Sequence, residues 1–156
     1  MKVQDMMRKS PKYCDPSANL AAVTEMLWSC GGGALPVTGP DGTIQGILTD
    51  RDICVALGTR NLRPSEVTAA QAMSRNVAIC KARDDIHTAL KIMRTRKVRR
   101  LPVAGDTGKL EGLLCLTDLV LNARHDDGSG PELSYEDVMG TLKAIYWRHI
   151  AAVAAR

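Results

Sequence analysis

The sequence predicts a mixed α/β chain of the α+β type: two pseudo-twofold-related β-α-β-β-α repeats packed sheet to sheet, followed by a C-terminal helix. Three observations predict it. The first is an internal repeat. Leu35-Pro36-Val37 recurs as Leu101-Pro102-Val103, an offset of 66 residues, and the same offset carries Met7 to Met73, Cys14 to Cys80, Gly46 to Gly112 and Asp52 to Asp118. No gap is needed from Met7 to Val55. A solenoid needs at least about three stacked units, so two copies that pair with each other are the better arrangement. The second observation is that hydrophobic patterning runs in the same order through both copies. The third is composition: 45% of the 156 residues are hydrophobic, enough for a real core. With 3% aromatics and no Phe, that core is built from Leu, Ile, Val, Ala and Met.

Each copy opens on a short extended piece, Lys12 to Asp15 or Val77 to Cys80. A helix follows. Asn19 and Asp85 are suited to cap it, because a short polar side chain can accept from an unpaired N–H of the first turn. Leu20, Val23 and Leu27 mark its apolar face in the first copy; Ile86, Ala89, Leu90 and Met93 do so in the second. Gly31-Gly32-Gly33 stops the first helix, and no glycine stands at the matching end of the second. Two strands come next, Ala34 to Thr38 and Thr43 to Leu48, turning at Pro40-Asp41-Gly42. Their counterparts are Arg100 to Ala104 and Lys109 to Leu114, turning at Asp106-Thr107-Gly108. A last helix starts near Asp50 and ends before Gly58; its twin starts near Leu116. One such sheet alone has a face to bury, which puts any ligand cleft between the copies.

Residues 1–66 are thus expected to form the first repeat, 67–124 the second, and 125–156 a linker and an amphipathic helix. The linker is the polar stretch His125 to Pro131. Ser134-Tyr135-Glu136-Asp137 starts the helix as a capping box does, and Val138, Leu142, Ile145, Tyr146 and Val153 give it an apolar stripe. That stripe suits packing on the chain's own repeats or across a dimer.

No apolar run approaches the ~20 residues of a membrane span, and MKVQDMMRKS lacks the apolar stretch of a signal peptide. Five cysteines, an odd number without C-x-x-C spacing, argue against a disulfide framework or a zinc ribbon. Reduced, mostly buried thiols in a cytoplasmic protein are the expectation. His87, His125 and His149 lie far apart, none beside a Cys or carboxylate at ligand spacing, and there is neither a G-x-S-x-G nor a P-loop. Nothing here builds an enzyme, a metal site or a required cofactor.

The segment Gly46 to Asp52, GILTDRD, is the most informative in the chain. An apolar strand runs into Thr49 as N-cap, with Asp52 at the third helical position, so the two form a capping box. The same geometry suits a ligand. A helix N-terminus offers free N–H groups and the positive end of a dipole to an anion. A hydroxyl there can bind phosphate, and a carboxylate one turn in can accept both hydroxyls of a ribose.

An L-P-V strand followed by G-h-h-T-x-x-D resembles the CBS domain signature, and two copies, the second with Cys115 in the Thr position, resemble the tandem arrangement called a Bateman module, of the small stand-alone prokaryotic kind. The resemblance covers roughly residues 1–123. It implies a regulatory module that binds an adenosine-containing nucleotide of the AMP, ADP, ATP or S-adenosylmethionine type, needs no other cofactor, forms a homodimer and signals to an effector protein. Asp52 would hold ribose and Thr49 phosphate, with Arg51 beside them. In the second copy Asp118 matches Asp52, but Cys115 replaces Thr49, and a thiol is a poor phosphate partner. Arg99 and Arg100, just before Leu101, stand where the family places cationic arms; Gly33 and Ala34 fill those places in the first copy. The extended pieces would wall the adenine through Lys12 and Tyr13, and through Ala78 and Ile79.

Lys91, Arg94, Arg96, Lys97, Arg99 and Arg100 put six positive charges in ten residues. The first four read as a solvated helix face and the last two as ligand arms, since guanidinium suits bidentate phosphate contacts. A nucleic-acid patch is disfavoured, because neither interleaved aromatics nor a recognised motif accompanies the charges. The net charge of +4 suits a small anion without demanding a polynucleotide. The rival functions are therefore a ligand-free interaction scaffold of the same fold and, behind it, a basic nucleic-acid binder.

Overall fold

The computed structural model describes residues 1–126, 128 and 132–154, with side chains as far as 147. Linker residues Asp127, Ser129, Gly130 and Pro131, and the side chain of Val153, lie outside the described residues. The elements in order are α1 (Val3–Met6), β1 (Arg8–Lys9), α2 (Leu20–Ser29), β2 (Ala34–Thr38), β3 (Ile44–Thr49) and α3 (Asp50–Arg60). After a 3-10 turn at Pro64–Glu66 come α4 (Ala69–Ala72), β4 (Cys80–Lys81), α5 (Ile86–Arg96), β5 (Arg100–Ala104), β6 (Leu110–Cys115), α6 (Leu116–Asn122) and α7 (Tyr135–Ala154). The β-α-β-β-α order predicted for each copy is present, with the first copy's opening strand reduced to a single parallel bridge between Cys14 and Val37.

The chain forms two compact units that exchange their leading segments. One comprises Met1–Lys9, Ala78–Ala104 and Glu111–Arg156; the other comprises Ser10–Val77 and Gly105–Leu110. In the second of these, Leu20 N donates to Val67 O (2.9 Å) and Ala69 N to Ala18 O (2.8 Å). In the first, Ile86 N donates to Met1 O (3.0 Å) and Val3 N to Asp84 O (2.9 Å). These are the same bonds moved by the repeat offset. The segment that precedes one repeat therefore closes the core of the other.

The sheets follow the same exchange. In one unit β1 pairs antiparallel with β6, which pairs with β5, which pairs in parallel with β4, with Arg8 opposite Leu113 and Cys80 opposite Val103. In the other, β2 and β3 form the antiparallel ribbon, flanked by bridges from Ser74 to Ile47 and from Cys14 to Val37. The repeat glycines belong to this crossing. A Cβ on Gly46 would run into the Sδ of Met73, and one on Gly112 into the Sδ of Met7. Gly46 and Gly112 are needed because a methionine of the exchanged segment lies against the backbone there.

Each unit has its own core. Leu20, Val23, Leu35, Val37, Leu48 and Val67 are fully buried in one; Val3, Ile86, Leu90, Met93, Leu101, Val103, Leu114 and Leu119 in the other. Asn19 caps α2 by accepting from Ala22 N (3.0 Å), and Asp85 caps α5 by accepting from His87 N (2.9 Å). Gly31 follows α2 at φ +59°; Lys97 takes the same left-handed conformation at φ +56° after α5, which ends that helix without a glycine.

Three sequence expectations are corrected. Strands β3 and β6 begin and end one residue later than patterning suggests, so Thr49 and Cys115 are the last strand residues as well as helix N-caps. Helix α3 runs through Gly58 to Arg60, and Asn61 at φ +51° ends it. Gly inside a helix costs only about 1 kcal/mol against Ala, and nothing crowds Gly58. The basic run is not a solvated face throughout. Arg94 Nε donates to Thr141 Oγ1 (2.7 Å) and its Nη2 to Asp137 O (3.0 Å). Lys97 Nζ donates to Ala144 O (2.7 Å), and Arg99 Nη1 to Tyr146 OH (3.2 Å). These cations dock α7 onto its own unit, with Val138 and Ile145 buried beneath. The capping box forms as read, with Ser134 Oγ and N donating to Asp137 Oδ2 at 2.7 and 3.1 Å.

Candidate functional site

In the first repeat the strand-to-helix junction is built by a complete capping box. Thr49 N and Thr49 Oγ1 donate to Asp52 Oδ2 at 2.8 and 2.6 Å, and Asp52 N donates back to Thr49 Oγ1 at 3.2 Å. Both side chains are half-buried, at the N-terminus of an 11-residue helix whose first turn also carries Asp50. The motif therefore holds a hydroxyl and a carboxylate in fixed positions while leaving them reachable. Arg51 projects outward from the same turn, exposed. A cavity of about 560 Å³ lies along α2 and α3, lined by Thr24, Leu27, Trp28, Gly31, Gly32, Gly33, Asp50 and Ile53. Its size falls in the range of small-molecule sites. Thr49 and Asp52 do not line it. Asp50 and Trp28, 88% exposed, do, and sequence reasoning gave neither a role.

The second repeat arranges the equivalent positions differently. Cys115 caps α6 without a side-chain capping hydrogen bond; its thiol lies against Arg100 instead. Its carboxylate partner Asp118 turns instead to Arg8, which donates from Nε to Oδ1 and Oδ2 (both 3.1 Å) and from Nη2 to Oδ1 (2.8 Å). The Asp118 side chain is only 15% exposed, whereas that of Arg8 is 55% exposed, so the carboxylate is sheltered while the guanidinium faces water. Burial, and then Asp118, push the Cys115 thiol up; Arg8 and Arg100 pull the other way. Arg99, Arg100 and Cys115 do come together, around a cavity of about 140 Å³ shared with Leu116, Thr117 and Val120. Leu142 and Tyr146 of α7 fill its remaining side. That volume is below the roughly 300 Å³ at which small-molecule pockets usually begin.

Of the expected adenine walls, Lys12 is exposed and donates from Nζ to Ser29 Oγ (3.0 Å), and Tyr13 is 56% exposed. Ala78 is half-buried and packs against its unit's core, while Ile79 is exposed. The neighbouring Cys14 and Cys80 are buried, and burial pushes their thiols up to about 11 and about 12, which keeps both protonated at neutral pH. All five cysteines are free thiols, three of them buried. His87 has carboxylates beside it after all: Nδ1 is 3.1 Å from Asp85 Oδ1, and Nε2 is 3.5 Å from Asp137 Oδ2 of α7. The fold brings Asp137 there from 50 positions away, which sequence spacing could not show. Among the described residues no group of three or more His, Cys, Asp or Glu could hold a metal ion, and no helix is long and apolar enough to cross a membrane.

Two β-α-β-β-α repeats with exchanged leading segments, each carrying an aspartate in the first turn of the helix after its last strand, define a tandem-repeat α/β architecture. The CBS domain family matches residues 3–59 and 66–124, and the chain belongs to that family. It is 30% identical over 122 residues to hypoxic response protein 1 of Mycobacterium tuberculosis, spanning 78% of this chain and 82% of that one. It is 26% identical to the CBS domain-containing protein YhcV of Bacillus subtilis, over 85% of this chain and 92% of that one. A match at 33% identity to an uncharacterised protein of Methanopyrus kandleri spans only 38% of that protein. Among solved structures, hypoxic response protein I with two coordinated zinc ions superposes with a TM-score of 0.73 at 27% identity, covering 80% of this chain and all of that one. CBSX2 in complex with AMP gives 0.67 at 24% identity, covering 77% and 93%. The CBS domain pair of protein MJ0100, with 5′-methylthioadenosine and S-adenosyl-L-methionine, gives 0.70 at 21%, covering 78% and 94%.

Proposed function

We propose that the protein is a regulatory module that binds an adenosine-containing nucleotide through Thr49 and Asp52, transmits occupancy to a partner protein, and catalyses no reaction itself. The observation that carries this reading is the junction at Thr49. It offers a positioned hydroxyl, a positioned carboxylate and a helix N-terminus within one turn, all half-exposed. Asp52 accepts the ribose hydroxyls, and Thr49 with the first-turn N–H groups receives phosphate. The AMP held by CBSX2 and the S-adenosyl-L-methionine held by MJ0100 give the ligand class its support, since both chains share this fold. The reading includes a homodimer, the assembly that membership of the family implies.

The test is a thermal-shift panel with AMP, ADP, ATP and S-adenosylmethionine, followed by titration calorimetry of the best ligand against Asp52→Ala. A hydrogen bond to a charged group is worth about 1.5–3 kcal/mol, and each 1.4 kcal/mol is about tenfold in affinity. The variant should bind about ten- to a hundredfold more weakly. Unchanged affinity would remove Asp52 from the site.

A further inference from the structure

The repeat frame isolates one difference between the two carboxylates. Ser74 and Arg8 occupy matching positions: each belongs to an exchanged leading segment and each pairs with the middle of the strand before its carboxylate, Ser74 opposite Ile47 and Arg8 opposite Leu113. The residues before them, Met73 and Met7, seat against Gly46 and Gly112 alike. The two frames therefore superpose up to this residue and then diverge. Ser74 is neutral and brings no charge to Asp52, which is held by Thr49 instead. Arg8 reaches Asp118 with three hydrogen bonds of 2.8 to 3.1 Å.

The two differences belong together. Where the N-cap is Thr49, its hydroxyl and N–H anchor one carboxylate oxygen and leave the other, Oδ1, outside the capping box. Where the N-cap is Cys115, the thiol makes no capping bond to the carboxylate, and both oxygens of Asp118 accept from one guanidinium. A forked, charge-assisted pair of this kind is among the stronger polar contacts a protein makes. It presents to each carboxylate oxygen the donor that a ribose hydroxyl would present.

We propose that Arg8 is an internal occupant of the second repeat's carboxylate, so that the chain takes one adenosine ligand, at Asp52, and closes the other site to ribose from within. The proposal rests on the reading of Asp52 and Asp118 as ribose carboxylates. A ribose at Asp118 must displace Arg8, and losing bonds to a charged group weakens binding by about ten- to a hundredfold. Residue 8 thereby sets the stoichiometry, and whatever draws the 1–9 segment off its strand opens a second site.

The experiment is equilibrium dialysis and calorimetry of the full chain with AMP and with adenosine, which has ribose but no phosphate. The wild type should bind one equivalent with an affinity that Asp52→Ala lowers and Asp118→Ala leaves unchanged. Arg8→Ser, which installs the residue found at position 74, should bind two equivalents, and adding Asp118→Ala to it should return the count to one. Arg8→Lys, which keeps the charge without the fork, should show a second site weaker than that of Arg8→Ser. Two equivalents on the wild type, or one on both Arg8 variants, would overturn the proposal and leave the reading of Asp52 standing. No binding of either compound to any of these chains would overturn both.

Discussion

The crossing of each exchanged segment over a motif glycine can be tested by adding one methyl group. In Gly46→Ala the new Cβ collides with the Sδ and Cγ of Met73, and lies 3.2 Å from Ser74 O. Met73 is only 8% exposed and packs in the core with Leu48 and Val67, so it has no solvent to swing into. Forcing a methyl into a packed interior costs about 1–3 kcal/mol. For a chain of this size each kcal/mol lowers Tm by roughly 2–4 °C. Gly112→Ala should behave alike, because the same contact recurs with Met7 and Arg8 O. Gly58→Ala is the control: it lies within α3 with nothing near its Cβ position, so it should stabilise by about 0.5–1 kcal/mol. The assay is urea unfolding followed by far-ultraviolet circular dichroism, run as a double-mutant cycle with Met73→Ala. Met73→Ala alone should cost about 2–5 kcal/mol as a large-to-small core change. On that background Gly46→Ala should cost at least about 1 kcal/mol less than in the wild type, a coupling of the size that touching residues show. A neutral Gly46→Ala, or a cost unaltered by Met73→Ala, would refute the view that the exchanged segment dictates these glycines.

Two further outcomes follow from the tail and the assembly. The capping box of α7 depends on Asp137, whose carboxyl is held below its ordinary value of 3.8 first by the Ser134 hydroxyl and also by neighbouring His87. A carboxyl lowered in this way stabilises the folded form above its ordinary value and stops doing so as pH falls through the lowered one. Hydrogen-exchange protection of α7 should thus drop below about pH 4, and Asp137→Asn should lack that step; Ser134→Ala should loosen the helix at neutral pH by about 1 kcal/mol. Light scattering should give twice the 16.9 kDa chain mass at micromolar concentration, and a monomer there would end the dimer reading.

Much of the fold was legible because local chemistry and the repeat agree. Asn19, Asp85, Thr49 and Ser134 cap helices for the reason polar side chains always do, and burial follows the Leu, Val and Ile spacing. What escaped depends on distance along the chain. The contiguous repeat suggests that residues 1–9 and 67–77 serve their own copies, yet each completes the other's sheet and core. Nothing in either segment's composition says which copy it joins. The basic run depends on distance in the same way. Arg94 and Lys97 look like solvated charges until α7 returns about 47 residues later with carbonyls and a threonine hydroxyl to meet them.

The site followed the same rule. Thr49 and Asp52 were legible because their interaction spans three residues of one helix start, and the structure returns it bond for bond. Asp118 was legible only as a position. The absence of a hydroxyl at Cys115 pointed toward compensation by nearby charge, and Arg99 and Arg100 were the nearest in sequence. The fold gives Arg99 to Tyr146 and sets Arg100 beside the Cys115 thiol, while the guanidinium that reaches the carboxylate arrives from residue 8, at 110 residues' separation. One sequence signal did point there. Arg8 and Ser74 break the match immediately after Met7 and Met73, and in a frame where Met, Cys, Gly and Asp all recur, a change from serine to arginine facing a carboxylate adds a positive charge to that site. A repeat is therefore most informative at the positions where it fails: matches locate the two junctions, and the mismatches at 8/74 and 115/49 distinguish a carboxylate held by its own helix N-cap from one held by a guanidinium of the exchanged segment.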